Sequence, residues 1–263
     1  MAFSPEAEKV LREIFSVGAD RAVGIGRRLR APTPGADELF EFCQLLAEEP
    51  PEEDLQLFLQ KNVGFVTGLL GGPDNADLAV IFKPKIGTRF VADFCVLQAH
   101  QGGAVAHLIE IETCHENLFT REGKPAKRLA SALKQVEDWH LEISRAPMHF
   151  SAEFIRTAKK LPEYSEQDST SRGVRFTAPD QIQNIWESFG GRDTPLFSYT
   201  AILGRWSKLD DDGKARIISR NRDGGPKVHT FEQLARNANF RLERDDWHND
   251  LDAWEGQFSS AIE

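Results

Sequence analysis

Three carboxylates stand where a folded chain has little reason to keep them. Asp93 is the one charge in the apolar run Phe90-Val91-Ala92-Asp93-Phe94-Cys95-Val96-Leu97, and taking a lone carboxylate out of water is costly. In His107-Leu108-Ile109-Glu110-Ile111-Glu112 the alternation puts Glu110 and Glu112 on one face of a strand and Ile109 and Ile111 on the other. Adjacent strands would bring the three acids to one point, where they repel one another unless a cation stands among them. Hard oxygen donors on rigid strands suit Mg2+ or Mn2+. A divalent ion held this way activates water and neutralises charge on a phosphate, so the chemistry expected is phosphodiester hydrolysis. Taken alone, Glu110 and Glu112 have a second reading as the solvent face of an amphipathic edge strand. Asp93 inside its apolar run weakens that reading.

The elements that must position these acids can be traced along the chain. Ser4 and Pro5 open a helical pattern that runs to about Arg30, and Ala31-Pro32-Thr33-Pro34-Gly35 breaks it. A second helix begins near Asp37 and stops at Pro50-Pro51. A third, Glu52 to about Asn62, opens with acids where the helix dipole favours them and buries Leu55, Phe58 and Leu59. Strands are expected at Ala79–Phe82, Phe90–Leu97 and Ala104–Glu112, joined as a meander. A helix from about Pro125 to Ser144 presents Leu129, Ala132, Leu133, Val136 and Trp139 to the core, with Gln135 off that stripe, and another follows from about Ser151 to Leu161. Further strands are expected at Phe197–Gly204, Ala215–Arg220 and Lys227–His229. Thr230 with Gln233 forms a capping-box pattern at the head of a last helix. This order favours an α/β fold with a mixed sheet flanked by helices and a short helical element at the N-terminus.

Composition narrows the classes. With 263 residues and 40% apolar content the chain can bury a substantial core. No apolar run is long enough to span a membrane and no signal-peptide pattern opens the chain, so cytoplasmic residence without a membrane partner is expected. Cys43, Cys95 and Cys114 are too widely spaced for a zinc knuckle and read as reduced thiols. The net charge of -9 is segregated: Asp37 to Asp77 holds ten acids against Lys61 alone, and Asp245 to Glu263 is acidic. Arg205 to Lys227 carries seven bases against four acids. That segment either faces phosphate or is a solvated hairpin surface. His107, His115, His140 and His149 lack zinc-ligand spacing and read as surface or hydrogen-bonded residues, with His115 close enough to the E-x-E strand to touch a phosphate. Arg205, after Gly204, has two readings: a bidentate contact to phosphate, or a carboxylate partner.

The spacing D-x16-E-x-E across two adjacent strands resembles the PD-(D/E)XK nuclease plan, in which a bend in one strand presents the acid and the next presents E-x-K. Here Glu112 stands in the lysine slot, where it can serve as a further metal ligand or a general base. More of the chain resembles one family, the Shedu anti-phage defence nucleases. The helix from Glu52 to Asn62 looks like that family's E-x-x-L-Q-x-F-L-x-x-N signature. Ala92-Asp93-Phe94 and Leu108-Ile109-Glu110-Ile111-Glu112 follow. After them come Leu118-Phe119-Thr120, Ala132-Leu133-Lys134-Gln135-Val136-Glu137-Asp138-Trp139, Ala201-Ile202-Leu203-Gly204-Arg205 and Val228-His229-Thr230-Phe231-Glu232-Gln233-Leu234.

The resemblance implies a metal-dependent nuclease that nicks or cuts double-stranded DNA, working as a homo-oligomer in phage defence. It implies Asp93 and Glu110 as ligands of Mg2+ or Mn2+ and Glu112 in the lysine slot, where the reading of the residues makes it a third ligand, with Gln135 approaching from the following helix and Glu52 and Gln56 from the preceding one. For Glu52, an ordinary first-turn acid is the competing reading. The expected organisation is a helical element over residues 1–46, a nuclease domain over 47–245 and an acidic tail over 246–263. The alternative function is a DNA-end or phage-component binding module on a decayed nuclease fold, which the missing lysine motivates.

Overall fold

Side-chain alternation along the central strands decides the architecture. In the computed structural model, which describes residues 33–69, 77–100, 103–164, 172–176 and 196–241, Phe94 and Val96 point to one face of the sheet. Cys95 and Leu97 point to the other. A sheet apolar on both faces must be covered on both. The expected helix over Ser4 to Arg30 and the tail 246–263 lie outside the described residues.

The elements run α1 (Ala36–Ala47), α2 (Glu52–Lys61), α3 (Val63–Gly68), β1 (Asp77–Phe82), β2 (Lys85–Ile86), β3 (Phe90–Val91), β4 (Phe94–His100) and β5 (Gly103–Ile111). They continue with α4 (Lys127–Ser144), α5 (Pro147–Ala158), β6 (Gly173–Arg175), β7 (Leu196–Ile202), α6 (Asp211–Arg222), β8 (Lys227–His229) and α7 over residues 231–241. The main sheet has the order β6-β1-β4-β5-β7-β8. Strands β1, β4 and β5 form the expected antiparallel meander, while β7 and β8 join parallel to β5. The fold is thus the expected mixed sheet flanked by helices.

One face packs Phe42, Leu55, Leu59 and Phe65 of the first three helices, with Phe231 and Leu234 of α7, against Phe94, Ile109 and Ile111. The other packs Val136, Trp139 and Ile143 of α4 and Phe150 and Phe154 of α5 against Cys95, Leu97 and Leu108. A third cluster joins Leu129 and Leu133 of α4 to Ala201, Ile217 and Val228. No helix among the described residues is long and apolar enough to cross a membrane.

Two expectations need correction. The segment Ala215–Arg220, expected as a strand, lies inside α6. Its β-prone Ile217-Ile218 pair is overridden by the ends of the helix. The Asp210 side chain caps the Gly213 N–H at 2.7 Å, Asp211 and Asp212 sit in the first turn, and Arg220 and Arg222 sit in the last. The run Phe90–Leu97 is two strands, with Ala92 and Asp93 between them. At the head of α7 the expected capping box is half formed: Gln233 Oε1 accepts the Thr230 N–H at 2.9 Å.

Edge strand β6 is held to β1 at a position open only to glycine. Gly173 has φ +130, and a Cβ there would lie 2.1 Å from the Val80 carbonyl oxygen. Gly173→Ala is expected to destabilise the fold by about 1–3 kcal/mol, read as a lower midpoint in urea denaturation.

Candidate functional site

Strand register builds the site. Phe82 pairs with Phe94 and Phe94 with Ile109, so one step beyond, Lys83, Asp93 and Glu110 form a row across the sheet. Backbone bonds fix this row: the Lys83 N–H donates to the Asp93 carbonyl at 2.9 Å, and the Asp93 N–H to the Ile109 carbonyl at 3.1 Å. The row continues through Ala201 of β7 to Val228 of β8. The break between β3 and β4 frees the Asp93 side chain to turn along the sheet, where its Oδ2 accepts the Ile111 N–H at 2.6 Å.

Helices supply the remaining groups. Gln135 leaves α4 beside the core stripe, and its Nε2 donates to Glu110 Oε1 at 2.7 Å. Glu52 occupies the first turn of α2 and accepts a 2.8 Å bond from Gln56, one turn on. Gln56 Oε1 in turn accepts from Lys83 Nζ at 2.5 Å, and the same ammonium pairs with Asp93 Oδ1. Arg128, near the start of α4, reaches Glu112 at 3.4 Å and Glu116 at 3.3 Å. Among the described residues, no three carboxylate, histidine or cysteine side chains form a ready-made metal cage. Asp93, Glu110 and Glu112 are each held by a partner of their own.

The electrostatics show what this arrangement lacks. Asp93, Glu110 and Glu112 are buried. Burial, then repulsion from Asp93, Glu112 and Glu52, pushes the Glu110 carboxyl up to about 9. Burial also raises Asp93, against the opposing pull of Lys83 and the Ile111 N–H. Glu52 is raised by burial and then by Glu112 and Asp93, and Glu112 is raised by burial despite Arg128. Four raised acids, three of them raised further by the charge of Asp93, mark a place short of positive charge.

The family model described as Shedu protein SduA, C-terminal, matches residues 49–235, well over half of the chain. The chain belongs to the Shedu family. That places it within anti-phage defence. No curated protein matches it.

Of the site residues expected for a Shedu chain, Asp93, Glu110, Glu112, Glu52, Gln56 and Gln135 come together. Glu52, which also reads as an ordinary helix-dipole acid, lies within electrostatic reach of Glu112 and Asp93. Arg205 and His115 do not join the group. Arg205 donates to Glu232 at 3.1 Å and to the Leu46 carbonyl at 3.4 Å, the carboxylate alternative, and so ties α1 to α7. His115 is exposed beside the Lys208–Glu49 ion pair. Sequence reasoning missed Lys83 and Arg128. Lys83 carried one signal, as the charge that ends the apolar strand Ala79–Phe82, but its partner depends on the β1–β4 register.

A carboxyl whose pKa is raised in the fold supports stability below its ordinary value of 4.5, and that support is lost as pH rises through the folded value. With divalent ions chelated, stability is therefore expected to decline between pH 4.5 and 9. Glu110→Gln should flatten this decline in thermal melts across the range. Equal slopes for wild type and variant would rule out Glu110 as its source.

Proposed function

We propose that this Shedu protein is a Mg2+- or Mn2+-dependent deoxyribonuclease that hydrolyses phosphodiesters of double-stranded DNA. The observation that carries the reading is the convergence of buried Asp93, Glu110 and Glu112 with half-buried Glu52, and the repulsion that the other three exert on Glu110 calls for a cation. Their donors are all hard oxygens, a set that fits Mg2+ or Mn2+. Held by Asp93, Glu110 and Glu112, such an ion would supply Lewis acidity toward a nonbridging phosphate oxygen and would lower the pKa of the attacking water.

The protein's own groups do the rest. Gln135 holds Glu110 in place with a neutral amide that adds no repulsion. Arg128 restrains Glu112 at the mouth of the site. As the water oxygen bonds to phosphorus and the P–O bond to the leaving sugar oxygen breaks, the water's proton passes to one of these carboxylates and the leaving oxygen is protonated from solvent. Duplex DNA as substrate and homo-oligomeric assembly rest on the family resemblance, and cytoplasmic residence on the expectation drawn from the sequence, which holds no apolar run of membrane length.

A second reading has one observation in its favour. Asp93, Glu110 and Glu112 each already have a protein partner, as expected of a decayed site that binds DNA ends or a phage component without cutting. Incubating purified protein with supercoiled and linear plasmid in Mg2+, Mn2+ or chelator separates the two. The nuclease reading expects metal-dependent nicking or cutting that falls at least about a hundredfold in Glu110→Ala and Asp93→Asn. DNA binding at low salt without cleavage in either metal would favour the binding module.

A further inference from the structure

The strand that should bring a lysine to the reacting phosphate brings Glu112, yet a lysine reaches the acids from another direction. We infer that Lys83, at the end of β1, supplies the reaction-site positive charge that the E-x-E strand lacks. Its ammonium group would face a nonbridging oxygen of the phosphate under attack. This assignment rests on the hydrolase reading above.

Four observations lead there. Register makes Lys83 the immediate cross-strand neighbour of Asp93, in the same row as Glu110, so its place is set by backbone pairing. Its backbone takes the left-handed conformation, φ 49, which is strained for a lysine. Persistence of a strained residue at the edge of an acid cluster is typical of positions retained for chemistry. Two acceptors, Gln56 Oε1 and Asp93 Oδ1, orient the ammonium. An ammonium has three donors, and the third is left for a substrate oxygen. Lastly, the Lys83 side chain is 46% exposed where Asp93 is 8% exposed, so the lysine stands on the open side of the acids.

The other nearby cation is differently placed. Arg128 divides its guanidinium between Glu112 and Glu116. Lys83 is the cation that touches Asp93. Relocating the charge from position 112 to position 83 puts one ammonium at the end of the row, beside the carboxylates of Asp93 and Glu110, and leaves Glu112 as an additional oxygen donor.

Lys83→Met tests this directly, because a straight apolar chain keeps the backbone requirement while removing the charge. Lys83→Gln, which can still donate to Asp93, guards against a variant that fails to fold. Both are compared with wild type and with the double variant Lys83→Met/Glu112→Lys. Mn2+ titration calorimetry and melting temperature with and without metal serve as readouts beside plasmid cleavage.

Both neutral variants are expected to melt below wild type in chelator and to regain that loss in saturating Mn2+. They should bind Mn2+ at least as tightly as wild type and cleave at least about a hundredfold more slowly, the scale of losing a charge-stabilising donor. The double variant is expected to recover at least about tenfold over Lys83→Met. Cleavage by either neutral variant within about threefold of wild type would overturn the assignment. A cleavage loss matched by lost Mn2+ affinity would also overturn it, as would a double variant with no recovery. Wild type that never cleaves in Mg2+ or Mn2+ would instead remove the hydrolase reading, and this role with it.

Discussion

Crowding of like charge in a buried place is the constraint around which this molecule is arranged. Burial raises the proton affinity of Asp93, Glu110, Glu112 and Glu52, and repulsion from Asp93 adds to that rise in the other three. A core of ordinary function would not keep such a group, because apolar residues of similar volume would pack there at lower cost. The surrounding structure answers each acid separately: Lys83 and a backbone N–H for Asp93, Gln135 for Glu110, Gln56 for Glu52 and Arg128 for Glu112. Those partners come from β1, β5, α4 and α2, so the site is where the two helix layers and the sheet are bound to one another.

Much of this arrangement was legible in the chain. Alternation in Leu108 to Glu112 announces a strand with both glutamates on one face; β5 carries Glu110, Glu112 follows just past its end, and both reach partners on α4. The helical stripe of Leu129, Ala132, Leu133, Val136 and Trp139 leaves Gln135 beside the core surface, and it is from there that the amide reaches Glu110. These signals are local: side-chain period and helical spacing are read from a few neighbours.

What escaped was set by tertiary pairing or by competing local preferences. Lys83 gains its meaning from a register closed across the β2–β3 hairpin, and nothing in residues 79–83 names Asp93 as the partner. The helix Asp211–Arg222 contains a β-prone stretch, but its aspartate cap and the charges at its two ends decide the matter. Arg205 offered two readings, and the structure finds it with Glu232. The choice depended on the distant α7 coming to lie beside the loop after β7, which no short motif encodes.

Next to Glu110 in the row is Ala201, buried and without any polar group. Helix α4 rests on β7 there, with Ala132 and Leu133 in the same apolar cluster. The separation of helix and sheet depends on the side chains at the contact. A methyl group at position 201 therefore sets how near the Gln135 amide comes to its carboxylate. The spacing of the acid cluster is gauged by a residue with no chemistry of its own, and its natural variation would show itself as altered spacing while every polar residue stayed the same.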